Sequence, residues 1–105
     1  MDPNLRLATA ADVPAIEALI QAAYSPYVAR IGRKPGPMLD DYAGLTQKGL
    51  VRVLAAEGEI CGLLVLVPED GVMLLDNIAI APTAQGRGLG RRLLQAAETI
   101  ARVTG

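Results

Sequence analysis

Histidine is absent from all 105 residues, which removes Ser-His-Asp and Cys-His nucleophiles, imidazole-ligated metals and a histidine general base together. An acid or base in this chain has to be Asp, Glu, Tyr, Lys or Cys. Cysteine occurs once, as Cys61, so neither an internal disulfide framework nor a thiolate zinc knuckle can be built; a reducing, cytoplasmic setting is expected. An excess of one charge is missing too. Ten Lys and Arg against 11 Asp and Glu leave a formal net charge of −1, giving no global field to draw the chain onto nucleic acid or an anionic membrane. No segment approaches the roughly eighteen unbroken apolar residues of a membrane span. The start, Met1-Asp2-Pro3-Asn4, has no basic residue leading into an apolar run. The expectation is a soluble, unprocessed protein that binds neither nucleic acid nor membrane.

What is present is apolar: 51% of the residues are hydrophobic, too many for a disordered tail or linker. No repeat or composition shift divides the chain, so residues 1–105 are expected to form a single domain. Residues 5–8 suit a short strand, followed by Thr9 and Asp12 as helix-capping side chains. Val13, Ile16, Leu19, Ile20 and Ala23 recur at helical spacing, which predicts an amphipathic helix ending near Tyr24 or Tyr27. The Gly/Pro-rich, basic stretch 30–37 predicts a loop. Met38, Tyr42 and Leu45 then mark a short helix stopped by Gly49. From there the period becomes extended. Residues 50–56 and 60–67 are joined at Glu57-Gly58, a second turn is expected at Pro68-Glu69-Asp70-Gly71, and a third run covers residues 72–81. Leu89, Leu93, Leu94, Ala97, Ile100 and Ala101 predict a final helix over residues 88–103. The order β-α-α-β-β-β-α implies an α+β sandwich, with helices packed on a mostly antiparallel sheet.

The chemistry is concentrated in Gln85-Gly86-Arg87-Gly88-Leu89-Gly90-Arg91-Arg92, between a strand and the best helix of the chain. Closely spaced glycines let a backbone turn tightly and bring its amides to a ligand, while the helix start adds free N–H groups and positive dipole potential. The register fits neither a dinucleotide fingerprint, since Arg91 or Leu93 falls where the third glycine belongs, nor a P-loop ending in Gly-Lys-Ser/Thr. Arg87, Arg91 and Arg92 sit at the wrong end of the helix dipole, at a cost of about 0.3–1 kcal/mol each. A bound phosphate would offset this through charge-assisted hydrogen bonds of about 1.5–3 kcal/mol each. The plain alternative is a glycine turn with solvated arginines.

The run Asn77-Ile78-Ala79-Ile80-Ala81-Pro82, two residues, then Gln85-Gly86-Arg87-Gly88-Leu89-Gly90-Arg91-Arg92-Leu93-Leu94 resembles the acetyl-CoA motif of the GNAT-type N-acetyltransferase superfamily, and the elements from residue 5 onward follow that family's order. The resemblance implies transfer of an acetyl group from acetyl-CoA to a primary amine of a small molecule or protein, with no metal. It implies that the amides of Gly86, Arg87, Gly88, Leu89, Gly90 and Arg91, with Gln85, receive the pyrophosphate. The main chain of Ile78, Ala79 and Ile80 is expected to take the pantetheine arm.

The base is read from strand parity. Alternation places Asp76 on one face with Val72, Leu74, Ile78 and Ile80, where burial would raise its pKa and suit it to accept the amine's proton. A bulge in this strand would turn it elsewhere, and Leu74 occupies the position of the glutamate that some family members use. Tyr24, Tyr27, Tyr42, Arg30, Arg33, Lys34, Asp40 and Asp41 are expected to wall the acceptor site; the plainer expectation for the tyrosines is core packing with the hydroxyls at the rim. Cys61 reads as a small core residue. The family's pattern runs on beyond this sequence to a fifth strand, a helix and further strands, including a tyrosine acid. The domain is therefore expected to be incomplete, with an uncovered strand edge that favours a homodimer. A cofactor-binding module without turnover, or a degenerate fragment acting only as an interaction partner, remains as an alternative.

Overall fold

The computed structural model describes residues 4–32 and 36–104, without the side chains of Tyr27, Ile31, Leu39, Val103 and Thr104. Arg33 and Lys34 lie outside the described residues. Strand β1 (Asn4–Leu7) leads through a 3-10 turn (Ala10–Asp12) into helix α1 (Val13–Ile31). A second 3-10 turn (Gly36–Leu39) precedes α2 (Tyr42–Gln47). Strands β2 (Val51–Ala56), β3 (Glu59–Glu69) and β4 (Val72–Ile80) follow, then a 3-10 turn (Pro82–Ala84) and α3 (Leu89–Thr104). The four strands form one antiparallel sheet in the order β1-β2-β3-β4, and the α+β sandwich is as expected. Among the described residues no helix is long and apolar enough to cross a membrane.

The entry into α1 is held by side chains. Asp12 accepts from the Thr9 N–H at 2.7 Å and from its hydroxyl at 3.2 Å, and pairs with Arg6 at 2.7 Å. The Arg6 guanidinium first, and the Thr9 amide second, hold the Asp12 carboxyl well below the ordinary carboxylate range. Helix α1 runs further than expected, straight through Pro26. This proline is exposed, while Ala23 and Tyr24 pack on the core, so the apolar stripe is unbroken there. The helix ends at Gly32, left-handed at φ +74°, whose N–H donates to the Val28 carbonyl at 2.9 Å.

The sheet divides two cores. Leu63 and Val65 of β3 join Val51 and Val53 of β2 in a cluster beneath α1 and α2, whereas Leu64 and Leu66 join Leu54 beneath α3. A strand covered on both faces needs no polar alternation, which explains the unbroken run from Leu63 to Val67. The second hairpin is tighter than expected, because Pro68 and Glu69 are still paired, with Met73 and Val72, and only Asp70-Gly71 makes the turn. Pro68 is tolerated because it lies beyond the last pair of β2 with β3, Val51 with Val65, where no donor is required on that side. Helix α3 buries Leu89, Leu93 and Ala97. Leu94, expected on that stripe, is 46% exposed. At Gly62 the approach of α3 is close: a Cβ there would lie 3.0 Å from Ile80 Cδ1 and 3.3 Å from Leu93 Cδ1.

Candidate functional site

The turn between β4 and α3 is built by its prolyl start and its glycines. Pro82 opens a 3-10 turn closed by Ala84 N–H to the Ala81 carbonyl at 2.8 Å. Gly86 and Gly88 then adopt φ of +85° and +75° with open space where a Cβ would stand, so backbone conformation rather than crowding demands glycine. The first α3 bond is Arg92 N–H to the Gly88 carbonyl at 3.2 Å. The N–H groups of Leu89, Gly90 and Arg91 therefore precede every acceptor in their own helix. Leu89 is buried in the α3 core, so its side chain anchors the turn while its amide faces the loop. Among the described residues Arg87 and Arg91 are exposed and form no ion pair. Unneutralised cations and free amides at a helix start are what a diphosphate requires.

Among the described residues strand β4 is outermost and pairs only with β3. Ala81 N–H donates to the Cys61 carbonyl at 2.9 Å. Antiparallel alternation then turns the main chain of Ala79 and Asn77 toward β3 and that of Ile78 and Ile80 toward the free edge. Gln85 Nε2 donates to the Ile80 carbonyl at 3.4 Å, tying the loop to this edge. Of the three strand residues expected to offer main-chain groups to a ligand, Ile78 and Ile80 are so disposed. Ala79 instead directs its backbone inward and its side chain into the α1 core.

The parity expected for Asp76 is overturned by a β-bulge. Val65 pairs with Asn77 and Leu66 with Leu75, which leaves Asp76 as the extra residue. Its side chain consequently does not share the face of Ile78 and Ile80. It opens on the α2 side into a groove of about 240 Å³ with Asp40, Asp41, Leu45, Lys48 and Val67. It is also exposed, where the strand alternation predicted burial. In the same groove the Asp40 carboxyl is raised, by burial first and by the Asp76 charge second. Asp41 caps α2, accepting from the Gly44 N–H at 3.1 Å.

Next to the bulge stands a residue that the sequence reading missed. Asn77 is 6% exposed, accepts at Oδ1 from the Tyr24 hydroxyl at 3.0 Å and donates from Nδ2 to the Tyr42 oxygen at 2.9 Å. Tyr42 in turn donates to the Pro37 carbonyl, and burial, then the Asp40 charge, pushes its hydroxyl pKa well up. Tyr42 is buried in the α1 core and Tyr24 packs on its margin, so packing governs both rings, with the hydroxyls meeting at Asn77. An amide beside Asp76 in a strand whose remaining residues are apolar, with tyrosines on both preceding helices, was the available signal.

Two further concavities flank the loop. One of about 520 Å³ lies between the β2–β3 hairpin and the start of α3, with Glu57, Glu59, Cys61, Arg87 and Arg92 on its walls. Cys61 is only half-buried there, its Sγ 3.3 Å from the Leu54 carbonyl. The other, about 250 Å³, brings Arg30 of α1 beside Gln85 and Pro82. Among the described residues no three acidic or cysteine side chains converge as a metal site.

The acetyltransferase (GNAT) family model matches residues 15–105. Among solved structures, a GNAT family acetyltransferase from Brucella melitensis in complex with acetyl-CoA is 25% identical, with a TM-score of 0.77 over 98% of this chain and 70% of that one. The PaiA N-acetyltransferase from Thermoplasma acidophilum, in complex with coenzyme A, is 16% identical with a TM-score of 0.78 over 97% of this chain and 73% of that one. N-acetylglutamate synthase from Neisseria gonorrhoeae, complexed with coenzyme A and N-acetyl-glutamate, is 24% identical with a TM-score of 0.73. All of this chain is covered in that alignment but only 24% of the synthase. No curated protein sequence matches.

Proposed function

Because the chain belongs to the acetyltransferase (GNAT) family, we propose that it moves an acetyl group from acetyl-CoA to a primary amine. The observation that carries this reading is the convergence at one end of β4 of two sets of main-chain groups: the open helix-start amides of Leu89, Gly90 and Arg91, and the outward backbone of Ile78 and Ile80. The first set, with Gly86, Gly88, Arg87 and Gln85, would hold the pyrophosphate; the second would hold the pantetheine arm. Bound acetyl-CoA supplies an acetyl thioester open to attack by a free amine. An edge N–H of β4 offers a fixed donor toward its carbonyl oxygen. Asp76, in the groove shared with Asp40, draws the ammonium form of the acceptor by charge and takes its proton.

Calorimetric titration with acetyl-CoA, followed by release of free CoA thiol in the presence of an amine, tests the reading. Saturable binding with amine-dependent thiol release is the expected result. Absence of binding at millimolar cofactor overturns it. Binding without release leaves the second reading, a cofactor-binding module without turnover. That reading is favoured by the bare outer edge of β4, since no other described strand covers it.

The same edge supports a homodimer. Val72 (56%), Leu74 (44%) and Leu75 (43%) are exposed along β4, and Leu94 (46%) along α3, on a strand whose outer edge no described strand covers. Sedimentation should give a dimer that Leu75→Glu dissociates; a monomer at all concentrations refutes it.

A further inference from the structure

The bulge in β4 separates two functions by a single residue. Asp76, the extra residue of the bulge, faces the groove with Asp40 and Asp41; Ile78, two residues on, turns its main chain to the free edge. Between them Asn77 is fixed from both sides, by Tyr24 of α1 and Tyr42 of α2. The residues leading in do not by themselves define this arrangement. Val72-Met73-Leu74-Leu75 is apolar at both parities, so a shift by one residue would exchange one leucine for another on each face. What distinguishes the bulged register is polar. It keeps Asp76 off the α3 core, and it sets the Asn77 carboxamide against the hydroxyls of Tyr24 and Tyr42.

We propose that Asn77 is a positioning residue: its carboxamide, gripped by Tyr24 and Tyr42, locks the bulged register of β4 and so sets the acceptor-side carboxylate and the cofactor-side backbone at a fixed offset. The proposal rests on the reading of β4 as the acetyl-CoA edge for its functional consequence, but not for its structural content. A residue that only stabilised the fold would lower the melting temperature and leave cofactor affinity in the folded protein untouched. A positioning residue changes that affinity well below the melting temperature.

The test compares wild type with Asn77→Leu, which keeps the branching at Cγ and removes both bonds, and with the milder Tyr24→Phe and Tyr42→Phe. Acetyl-CoA affinity is measured by calorimetry, and strand register by cross-strand NMR contacts. Asn77→Leu is expected to weaken acetyl-CoA about tenfold, as the loss of two neutral hydrogen bonds implies, and each Phe variant about threefold. Adding Tyr24→Phe to Asn77→Leu should weaken it by less than the sum of the two single effects, because the bond between them is shared. The contact between Leu66 and Leu75, present in wild type, should be lost or doubled in Asn77→Leu. Folded variants that retain both wild-type affinity and the Leu66–Leu75 contact overturn the proposal. If wild type itself fails to bind acetyl-CoA, the functional reading falls and the register contact alone decides: its survival in Asn77→Leu refutes the lock, its loss upholds it.

Discussion

Substituting Gly88 separates conformation from charge at the proposed pyrophosphate site. Gly88 lies at φ +75° with nothing within 4 Å of a built Cβ, so Gly88→Ala meets no clash and costs only the left-handed strain, about 1–2 kcal/mol. For a domain of this size that is a fall in Tm of roughly 5–10 °C. Gly88→Asp costs no more in stability, because Asp tolerates the left-handed region better than Ala. Its carboxylate, however, enters the amide cradle. Brought within about 5 Å of a bound phosphate at an effective dielectric of about 40, it repels each charge by about 1.7 kcal/mol. Two phosphate charges, the second further away, give about 3 kcal/mol, or roughly a hundredfold in affinity. Calorimetry with acetyl-CoA at 0.1 M salt should therefore rank wild type above Ala and Ala far above Asp. At about 1 M salt, where the Debye length falls to about 3 Å, the gap between Ala and Asp should close severalfold while the gap between wild type and Ala persists. A folded Asp variant that binds like wild type, or Ala and Asp variants that bind alike, would refute an anion site at this turn.

Other perturbations read the scaffold. Gly62→Ala pushes a Cβ to 3.2 Å from the Ala79 carbonyl oxygen, which is backbone and cannot swing aside; overpacking should cost about 1–3 kcal/mol, seen as a lower denaturation midpoint. Asp12→Asn should lower Tm at pH 7 by about 5 °C through the lost cap and ion pair. Since the Asp12 pKa is depressed, its stabilisation is complete above the unfolded carboxyl value and lost as pH falls toward the folded one, so the two melting curves should converge in acid. Asp40 has the opposite sign. Its raised pKa favours folding below the unfolded value and penalises it as pH rises through the folded one, so Asp40→Asn should gain about 1–3 °C at pH 7 and nothing near pH 3.

Most of the fold was legible because local signals and packing agree. Glu57-Gly58 and Asp70-Gly71 do make the turns of the two hairpins, each with both residues at positive φ. The spacing of Leu89, Leu93 and Ala97 gave the buried stripe of α3. Reading failed where a local rule was outweighed. The expected end of α1 near Tyr24 or Tyr27 fell short, because the helix runs on through the exposed Pro26 to Ile31. Pro68 read as a turn residue because sequence does not reveal that its outward side lacks a neighbour. At the site, the glycine turn was visible because its backbone needs particular residues, whereas the bulge at Asp76 was only an alternative to strict alternation, which the sequence did not decide. A bulge is decided by what the side chains before and after it meet across the sheet, and the partners of Asn77 lie on α1 and α2.

The sheet order also carries a kinetic meaning. Strands β2, β3 and β4 form an up-and-down meander joined by two tight turns, so most pairing is short-range and the loop-closure entropy to be overcome is small. Strand β1 is different: Leu7 must find Arg52 across the intervening helices. Docking of β1 and α1 is thus the topologically expensive event, and it is the event that brings Tyr24 to Asn77. On this ordering the meander acquires slow amide exchange first in a pulse-labelling experiment, and the contact that assembles the two halves of the site is among the last to close.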